Sequence, residues 1–200
     1  MITKLLLGTN NSAKAAHMRQ FLSDLPIELV TPQDLGITIE PEETGVTFEE
    51  NALIKANYYF QKSGLPTIAD DAGFEIPALN NFPGVHSKRF ADHEMNDEEI
   101  ISGILEKMKD LSGDDRKAHF RIVIVLKLSD EEVHTASGSI SGHVPESPLD
   151  KRMEKFPYRS LLFVDELNKW FYEVSEEEEN QLGYRKGAVE KLKPYLRNYT

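Results

Sequence analysis

Apolar and polar positions at the start of the chain follow a pattern that predicts strand, loop, helix and strand. Residues 4–8 form a short apolar run that leads into the polar residues 9–12, and residues 27–30 form a second short apolar run. Between them, apolar side chains recur at helical spacing: Ala15, Met18, Phe21 and Leu22. This alternation of strand and helix predicts an α/β fold.

The pattern continues along the rest of the chain. Thr47 and Glu50 have the spacing of a capping box and predict a helix that ends near Lys62, before a short strand over residues 67–69. A helix capped at Asn96 or Asp97 and a final amphipathic helix over residues 186–196 are predicted downstream. Further strands are predicted over residues 120–128, 133–140, 161–164 and 170–174, and residues 142–158 are expected to be irregular.

Length and composition favour one domain over residues 1–200 in a cytoplasmic protein. The 200 residues contain no cysteine, which excludes disulfides and thiolate chemistry. Apolar runs such as residues 122–126 are too short to span a bilayer, and no signal peptide is evident, so no membrane partner is expected. The net charge of −11 argues against nucleic-acid binding, because duplex binding requires a basic face.

The first candidate for chemistry is the polar loop at residues 9–14. Backbone N–H groups at a helix start attract anions, and Lys14 in the first turn would add a mobile positive charge. The loop lacks the glycine spacing of a Walker motif. An ordinary polar N-cap explains the same residues.

The second candidate is the acidic pair Asp70–Asp71. Two adjacent carboxylates at the end of a strand repel each other unless a cation or hydrogen-bond donors compensate them, and Mg²⁺ needs only one or two protein carboxylates. Because neighbouring strand residues point in opposite directions, one carboxylate could face a site while the other anchors the turn. A solvent-exposed turn before Gly73 is the alternative.

Further candidates are Lys55, which lies four residues after Asn51 on one helix face, and the tight loop that contains Ser87 and Arg89. A surface lysine and an ordinary turn are the alternatives. The six histidines show no metal-ligand spacing, and neither a nucleophile elbow nor a dinucleotide-binding glycine pattern is present.

Four segments in order resemble one family. They are Thr-x-Asn-x-x-Lys at residues 9–14, Glu-Glu-Thr-Gly-x-Thr-Phe-x-Glu-Asn-Ala-x-x-Lys-Ala at residues 42–56, Ala-Asp-Asp-x-Gly at residues 69–73 and Pro-Gly-Val-x-Ser-x-Arg at residues 83–89. The chain is similar over most of its length to the house-cleaning inosine/xanthosine triphosphate pyrophosphatases. The second segment is long and specific, and the likeness fades after about residue 142.

The resemblance implies an elongated mixed β-sheet flanked by helices, with two lobes around a central substrate cleft and a homodimeric assembly. It implies cleavage of a nucleoside triphosphate, such as ITP, dITP or XTP, into the monophosphate and pyrophosphate. The role would be to cleanse the nucleotide pool, and the cofactor would be Mg²⁺.

The resemblance also implies residue roles. Asp71 would be the general base, and Glu43, Asp71 and Asp70 would be the magnesium ligands. Carboxylate and metal chemistry of this kind suits a highly anionic substrate. The substrate-binding residues would be Thr9, Asn10, Asn11, Ser12, Ala13, Lys14, Lys55, Ala72, Ser87, Arg89, Phe156, Tyr158, Arg159, Tyr184 and Arg185.

The residues expected to read the nucleobase depart from the family pattern. Phe-Gly-Tyr-Asp-Pro aligns with residues 156–160, so Arg159 replaces an aspartate, and Ser-His-Arg aligns with residues 183–185, where only Arg185 is retained. Without a gap, Glu179 falls where the family has a lysine, and Ala72 replaces a usual serine. Because donors replace acceptors, the accepted bases can differ from those of the family.

Two alternatives to this enzyme remain. The first is a nucleotide-binding protein derived from the family that has little turnover. Binding alone requires no base, so this alternative is disfavoured by the retained residues Lys14, Glu43, Lys55, Asp70 and Asp71. The second is an acidic interaction domain without a ligand, for which the order of the four segments would be a coincidence.

Overall fold

The computed structural model describes residues 2–87, 90, 93 and 95–198. Within these residues it contains five α-helices and eight strands. The helices are α1 (Ser12–Phe21), α2 (Phe48–Ser63), α3 (Asp97–Lys107), α4 (Glu176–Gln181) and α5 (Arg185–Arg197). The strands are β1 (Lys4–Leu7), β2 (Glu28–Val30), β3 (Thr67–Ile76), β4 (Phe82–Pro83), β5 (Lys117–Lys127), β6 (Val133–His143), β7 (Phe163–Val164) and β8 (Lys169–Trp170).

The strands form one mixed sheet in the order β2-β1-β3-β5-β6-β7-β8, and β4 pairs with β3. Strand β1 is parallel to both β2 and β3, whereas the pairs β3–β4, β6–β7 and β7–β8 are antiparallel. The predicted α/β class with a mixed sheet flanked by helices is therefore confirmed. In the described part of the chain, no helix is long and apolar enough to cross a membrane.

Most predicted elements are present, with ends shifted by a few residues. Helix α2 begins after Thr47, whose Oγ1 accepts a hydrogen bond from Glu50 N at 3.1 Å. Asn96 and Glu99 form a complete capping box at the start of α3. The strand predicted over residues 170–174 is mostly wrong, because β8 ends at Trp170 and a 3₁₀ turn follows.

The acidic pair does not lie at a strand end or in an exposed turn, as the sequence led us to expect. Strand β3 runs for ten residues, and Asp70 and Asp71 lie in its middle. Only 3% of Asp70 is exposed. Two charged residues inside a strand require partners from other elements, because a buried carboxylate is costly without compensation.

The chain divides into two compact units. The first comprises residues 1–72, 122–138 and 183–200. Its Leu5, Leu6 and Leu7 on β1 are fully buried, as expected for a parallel strand that is covered on both faces. Tyr59 of α2 packs against Leu6, and α1 contacts α5.

The second unit comprises residues 73–121 and 139–182. In its core the rings of Phe74 and Tyr158 stack with centroids 4.7 Å apart, and α3 contributes Ile100, Ile101 and Ile104. The buried guanidinium of Arg116 donates hydrogen bonds to the carbonyl oxygens of Val144, Met108 and Pro145. This arginine therefore joins the end of α3 to the residues that follow β6.

Candidate functional site

The candidate site of the first unit lies where β1 ends beside the middle of β3. These strands are parallel, and Leu7 pairs with Ile68, so the loop after β1 begins beside the residues that follow Ile68 in β3, which include the acidic pair. Strand β1 lies between β2 and β3, so the chain passes to opposite sides of it through α1 and α2. Ligands of open α/β sheets bind where the strand order reverses in this way.

The loop after β1 is ordered by its own side chains. Asn11 caps α1, and its Oδ1 accepts hydrogen bonds from the N–H groups of Ala13 and Lys14 at 3.0 and 3.1 Å. Thr9 Oγ1 accepts a third bond from Asn11 N. The polar N-cap is therefore present, and phosphate binding by this loop stays a prediction.

A cavity of about 280 Å³ lies against this loop. Its lining is polar and consists of Thr9, Asn10, Asn11, Ser12, Ala15, Arg19, Thr31, Gln33 and Asp34. The Oδ1 atom of Asn10 is buried without a hydrogen-bond partner. The predicted substrate-binding residues 9–12 thus share one concave surface.

Asp70 is held by two cations. Its Oδ2 lies 2.8 Å from Lys14 Nζ and 3.2 Å from Arg185 Nη1. Burial by itself would raise the pKa of the Asp70 carboxyl, but the charges of Lys14 and Arg185 outweigh burial and hold that pKa well below its usual range. Asp70 is therefore ionised at neutral pH, and both of these contacts are to positive groups.

Asp71 has a different environment. Asn51 Nδ2 donates to its Oδ2 at 3.2 Å, and Lys55 Nζ lies 3.4 Å from its Oδ1. Burial raises the pKa of Asp71, the Lys55 charge lowers it and the nearby Glu43 raises it, so that the net shift is upward. A carboxylate that accepts a proton more readily than an ordinary aspartate is suited to act as a general base.

Lys55 joins the two predicted metal ligands. Its Nζ lies 3.3 Å from Glu43 Oε2 as well as 3.4 Å from Asp71 Oδ1. The lysine side chain is only 12% exposed, so it is not the surface lysine of our alternative interpretation. The structure therefore brings Glu43, Lys55 and Asp71 together.

Asn51 is a residue of this cluster that sequence reasoning did not assign to the site. Its Oδ1 accepts a hydrogen bond from Gly45 N at 2.8 Å while its Nδ2 donates to Asp71. The carboxamide thus links the loop that carries Glu43 to the predicted base. The signal was its position four residues before Lys55 on one helix face.

The donor set suits Mg²⁺. Glu43 and Asp71 offer carboxylate oxygens around one positive charge, and Mg²⁺ takes one or two protein carboxylates and completes its shell with water and phosphate oxygens. Among the described residues, no group of three His, Cys, Asp or Glu side chains is close enough to hold a metal. Asp70 contacts Lys14 and Arg185 instead, so the geometry favours Glu43 and Asp71 as ligands, and the role of Mg²⁺ stays a prediction.

In the second unit, Ser87 and Tyr158 support the backbone. Ser87 Oγ accepts from Phe74 N at 2.8 Å and donates to Gly84 O at 2.6 Å. The Tyr158 hydroxyl donates to Ser87 O, and burial raises the pKa of that hydroxyl. Arg89, which the resemblance assigns to substrate binding, lies outside the described residues.

Arg159 and Glu179 form an ion pair in the second unit, with Arg159 Nη2 donating to Glu179 Oε2 at 2.7 Å. The guanidinium also donates to Phe171 O at 3.1 Å and lies 4.2 Å from the centroid of the Phe171 ring. Phe156, by contrast, is 55% exposed. Two of the positions at which this chain departs from the family pattern are therefore partners.

The remaining assigned residues lie in the first unit. Ala72 is partly exposed on β3, and Tyr184 is buried immediately before α5. The Arg185 guanidinium lies 5.8 Å from the centroid of the Tyr184 ring. Arg185 was assigned to the nucleobase, whereas its contact with Asp70 associates it with Lys14.

Replacement by asparagine should lower the stability of the protein at Asp70 but not at Asp71. Asp70→Asn leaves two cations without their carboxylate, and we expect a loss of roughly 3 kcal/mol in the free energy of unfolding, or roughly 6–12 °C in Tm. Asp71→Asn removes a charge that burial disfavours, so its Tm should be equal to or above that of the wild type. Thermal unfolding at pH 7 measures both.

The pH dependence follows from the lowered pKa of Asp70. Stabilisation by the ionised carboxylate is complete above the unfolded-state pKa of about 4 and is lost as the pH falls toward the lower folded-state pKa. The Tm difference between wild type and Asp70→Asn should therefore narrow below about pH 4. Equal Tm values at pH 7 would contradict the ion pairs.

Gly45 should tolerate no side chain. A Cβ there would lie 2.6 Å from Glu50 Cβ and 2.7 Å from Asn51 Oδ1, so Gly45→Ala should displace the loop and cost roughly 1–3 kcal/mol. Gly187→Ala is the matched control, because a Cβ on this residue of α5 meets nothing within 4 Å and should stabilise by roughly 0.5–1 kcal/mol. Denaturant unfolding compares the two, and a neutral Gly45→Ala would refute the tight approach.

Known proteins agree with the resemblance. The model of the Ham1 family matches residues 5–195. A Leptospira interrogans protein named dITP/XTP pyrophosphatase is 36% identical over 197 residues, which cover 98% of each chain. A Haemophilus influenzae protein of the same name is 38% identical over 198 residues, covering 98% of this chain and all of the relative.

Solved structures give the same result. A HAM1 protein from Coxiella burnetii superposes with a TM-score of 0.87 at 34% identity and covers 99% of this chain and 100% of that chain. A nucleoside-triphosphatase / dITP/XTP pyrophosphatase from Mycobacterium abscessus has a TM-score of 0.80 at 29% identity, covering 94% and 98% of the two chains. Sequence and fold thus agree over nearly the whole length, and the chain belongs to the Ham1 family.

Proposed function

We propose that this chain hydrolyses non-standard purine nucleoside triphosphates, such as dITP, ITP and XTP, to the monophosphate and pyrophosphate. The observation that carries the proposal is the environment of Asp71, a half-enclosed carboxylate with a raised pKa beside Lys55 and Glu43. Relatives that match nearly the whole chain are named dITP/XTP pyrophosphatases. Removal of such nucleotides before polymerases use them would be its cellular role.

In this mechanism Asp71 receives the proton of the attacking water. The water oxygen forms a new bond to phosphorus, the bond between the α and β phosphates breaks, and pyrophosphate leaves. Asn51 holds the carboxylate of Asp71 through its Nδ2 at 3.2 Å, so that the base need not be ordered during the reaction. Asp71 Oδ1 remains close to Lys55.

Lys14 and Lys55 supply positive charge to the phosphate oxygens. Triphosphate hydrolysis depends mainly on positioning and on neutralising the charge of the phosphoryl oxygens. Lys55 is buried beside the base, and Lys14 lies in the first turn of α1, next to the polar loop. When held by Glu43 and Asp71, Mg²⁺ would add charge neutralisation and polarise the water.

The homodimer and the recognition of the base by Phe156, Tyr158 and Arg159 are proposed from the resemblance. The cytoplasmic location is proposed from the composition of the chain. The net charge of −11 disfavours a nucleic acid as the partner, whereas a small nucleotide can bind together with its metal ion. Sedimentation of the purified chain tests the dimer.

A triphosphate panel tests the activity. With Mg²⁺, pyrophosphate should be released from dITP, ITP and XTP with a kcat/KM well above that for dATP, and EDTA should abolish release. Asp71→Asn should lower kcat by about 10²–10⁴-fold, because it cannot accept a proton, whereas the exposed Asp130→Asn should be unchanged.

The outcomes separate the alternatives. Binding of nucleotides without any pyrophosphate release would favour the nucleotide-binding protein with little turnover. Full activity of Asp71→Asn would show that another group is the base. Turnover that survives EDTA would refute the magnesium role.

The Arg159–Glu179 pair offers a test of base recognition. Because Arg159 places a donor where the family pattern has an acceptor, Arg159→Asp should change the preference for dITP over dATP by roughly tenfold or more. Arg159→Asp also places two carboxylates against each other and should therefore lower Tm. Combining Arg159→Asp with Glu179→Lys restores an ion pair in reversed order and should recover the Tm. If the preference is unchanged in the single variant, this pair does not read the base.

A further inference from the structure

Asp70 is the point at which cations from two helices meet. Lys14 lies in the first turn of α1, and Arg185 is the first residue of α5. Both contact the same carboxylate oxygen, at 2.8 and 3.2 Å, although they are separated from Asp70 by 56 and 115 positions in the sequence. The oxygen that receives them belongs to a nearly fully buried side chain.

Neither cation is placed where its own helix favours it. The amino end of a helix carries a partial positive charge and is stabilised by acidic residues. Neither α1 nor α5 has an acidic residue in its first turn, and each has a cation there instead. The positions of Lys14 and Arg185 therefore depend on a carboxylate supplied from outside the two helices, which is Asp70.

The cluster contains two cations and one carboxylate. The Asp70 carboxylate contacts a lysine and an arginine, each of which lies in the first turn of its helix. Without Asp70 the two side chains would repel each other and withdraw toward solvent. With it they stay together, and the two positive groups attract an anion to the edge of the sheet where the loop after β1 lies.

Asp70 is poorly placed to bind the metal as well. Its neighbour Asp71 contacts Lys55 and Asn51, and adjacent residues of a strand point to opposite faces. A divalent cation on Asp70 Oδ2 would also be brought against two positive groups. The geometry thus separates the two carboxylates into different tasks.

We propose that Asp70 is a positioning residue that holds Lys14 and Arg185 together for binding of the triphosphate, and that it is not a metal ligand. This inference rests on the proposed function for its substrate. It also places Arg185 on the phosphate-binding side through its contact with Asp70, although the resemblance assigns this arginine to the nucleobase.

Asp70→Asn tests the inference against a matched control. Asp24 also lies between a lysine and an arginine, 2.8 Å from Lys193 and 2.9 Å from Arg197, but it is exposed and has no place in the mechanism. Asp70→Asn should raise the KM for dITP by tenfold or more and change kcat less, whereas Asp24→Asn should leave KM unchanged. The Mg²⁺ concentration for half-maximal rate should stay within about twofold of wild type. A tenfold shift in that concentration, or an unchanged KM, would overturn the proposal.

A double-variant cycle shows whether Asp70 acts through Lys14. In a Lys14→Met background, Asp70→Asn should raise KM by no more than about threefold, because its main partner is already gone. An increase as large as that in the presence of Lys14 would mean that Asp70 acts independently, and would overturn the proposal. If Asp70 had only a structural role, the effects of Asp70→Asn and Lys14→Met on KM would be additive.

If Asp70→Asn does not fold, Asp70→Glu keeps the charge and displaces the carboxylate by one methylene. It should raise KM with an unchanged Mg²⁺ requirement, and the opposite pattern would overturn the proposal. Calorimetric binding of inorganic triphosphate without Mg²⁺ gives a measurement that needs no turnover. If the wild type hydrolyses nothing, the proposed function fails, whereas weaker triphosphate binding by Asp70→Asn than by Asp24→Asn would still support the positioning role, and equal binding would overturn it.

Discussion

The alternation of side chains along β3 is the constraint on which the candidate site depends. Asp70 and Asp71 are adjacent in sequence, yet a strand directs them to opposite faces, where they have different partners. Asp70 receives Lys14 and Arg185, and its pKa falls; Asp71 receives Asn51 and Lys55 beside Glu43, and its pKa rises. Two identical side chains thus acquire an anchoring role and a basic role because they lie on opposite faces of the strand and meet different partners there.

The parallel pairing of β1 with β3 gives this division its location. Because Leu7 is in register with Ile68, the loop after β1 and the acidic pair of β3 reach the same edge of the sheet. The apolar run of β1, buried on both faces, keeps this register. The buried part of β1 contains no charged residue, yet its pairing with β3 holds the charged groups of the site together.

Local sequence patterns predicted the helices and strands well but did not predict the environment of the acidic residues. The helical spacing of Ala15, Met18 and Phe21 and the cap at Thr47 depend on neighbours in sequence, and both were predicted. The interior position of Asp70 in β3 was not, because two carboxylates before a glycine resemble a turn. Only Lys14 and Arg185, which are distant in sequence, make burial of this carboxylate affordable. The ion pair between Arg159 and Glu179 likewise could not be predicted from the sequence, although each departure from the family pattern was visible there.

The carboxamide of Asn51 makes position 51 chemically singular. One end must accept from Gly45 N and the other must donate to Asp71, so the amide can adopt only one orientation. Aspartate has the same shape but would place a third carboxylate beside those of Asp71 and Glu43. Leucine would leave Gly45 N and the Asp71 carboxylate without their hydrogen-bond partner. Asn51 therefore couples the loop that carries Glu43 to the strand that carries Asp71. We expect no substitution at this buried side chain to be neutral.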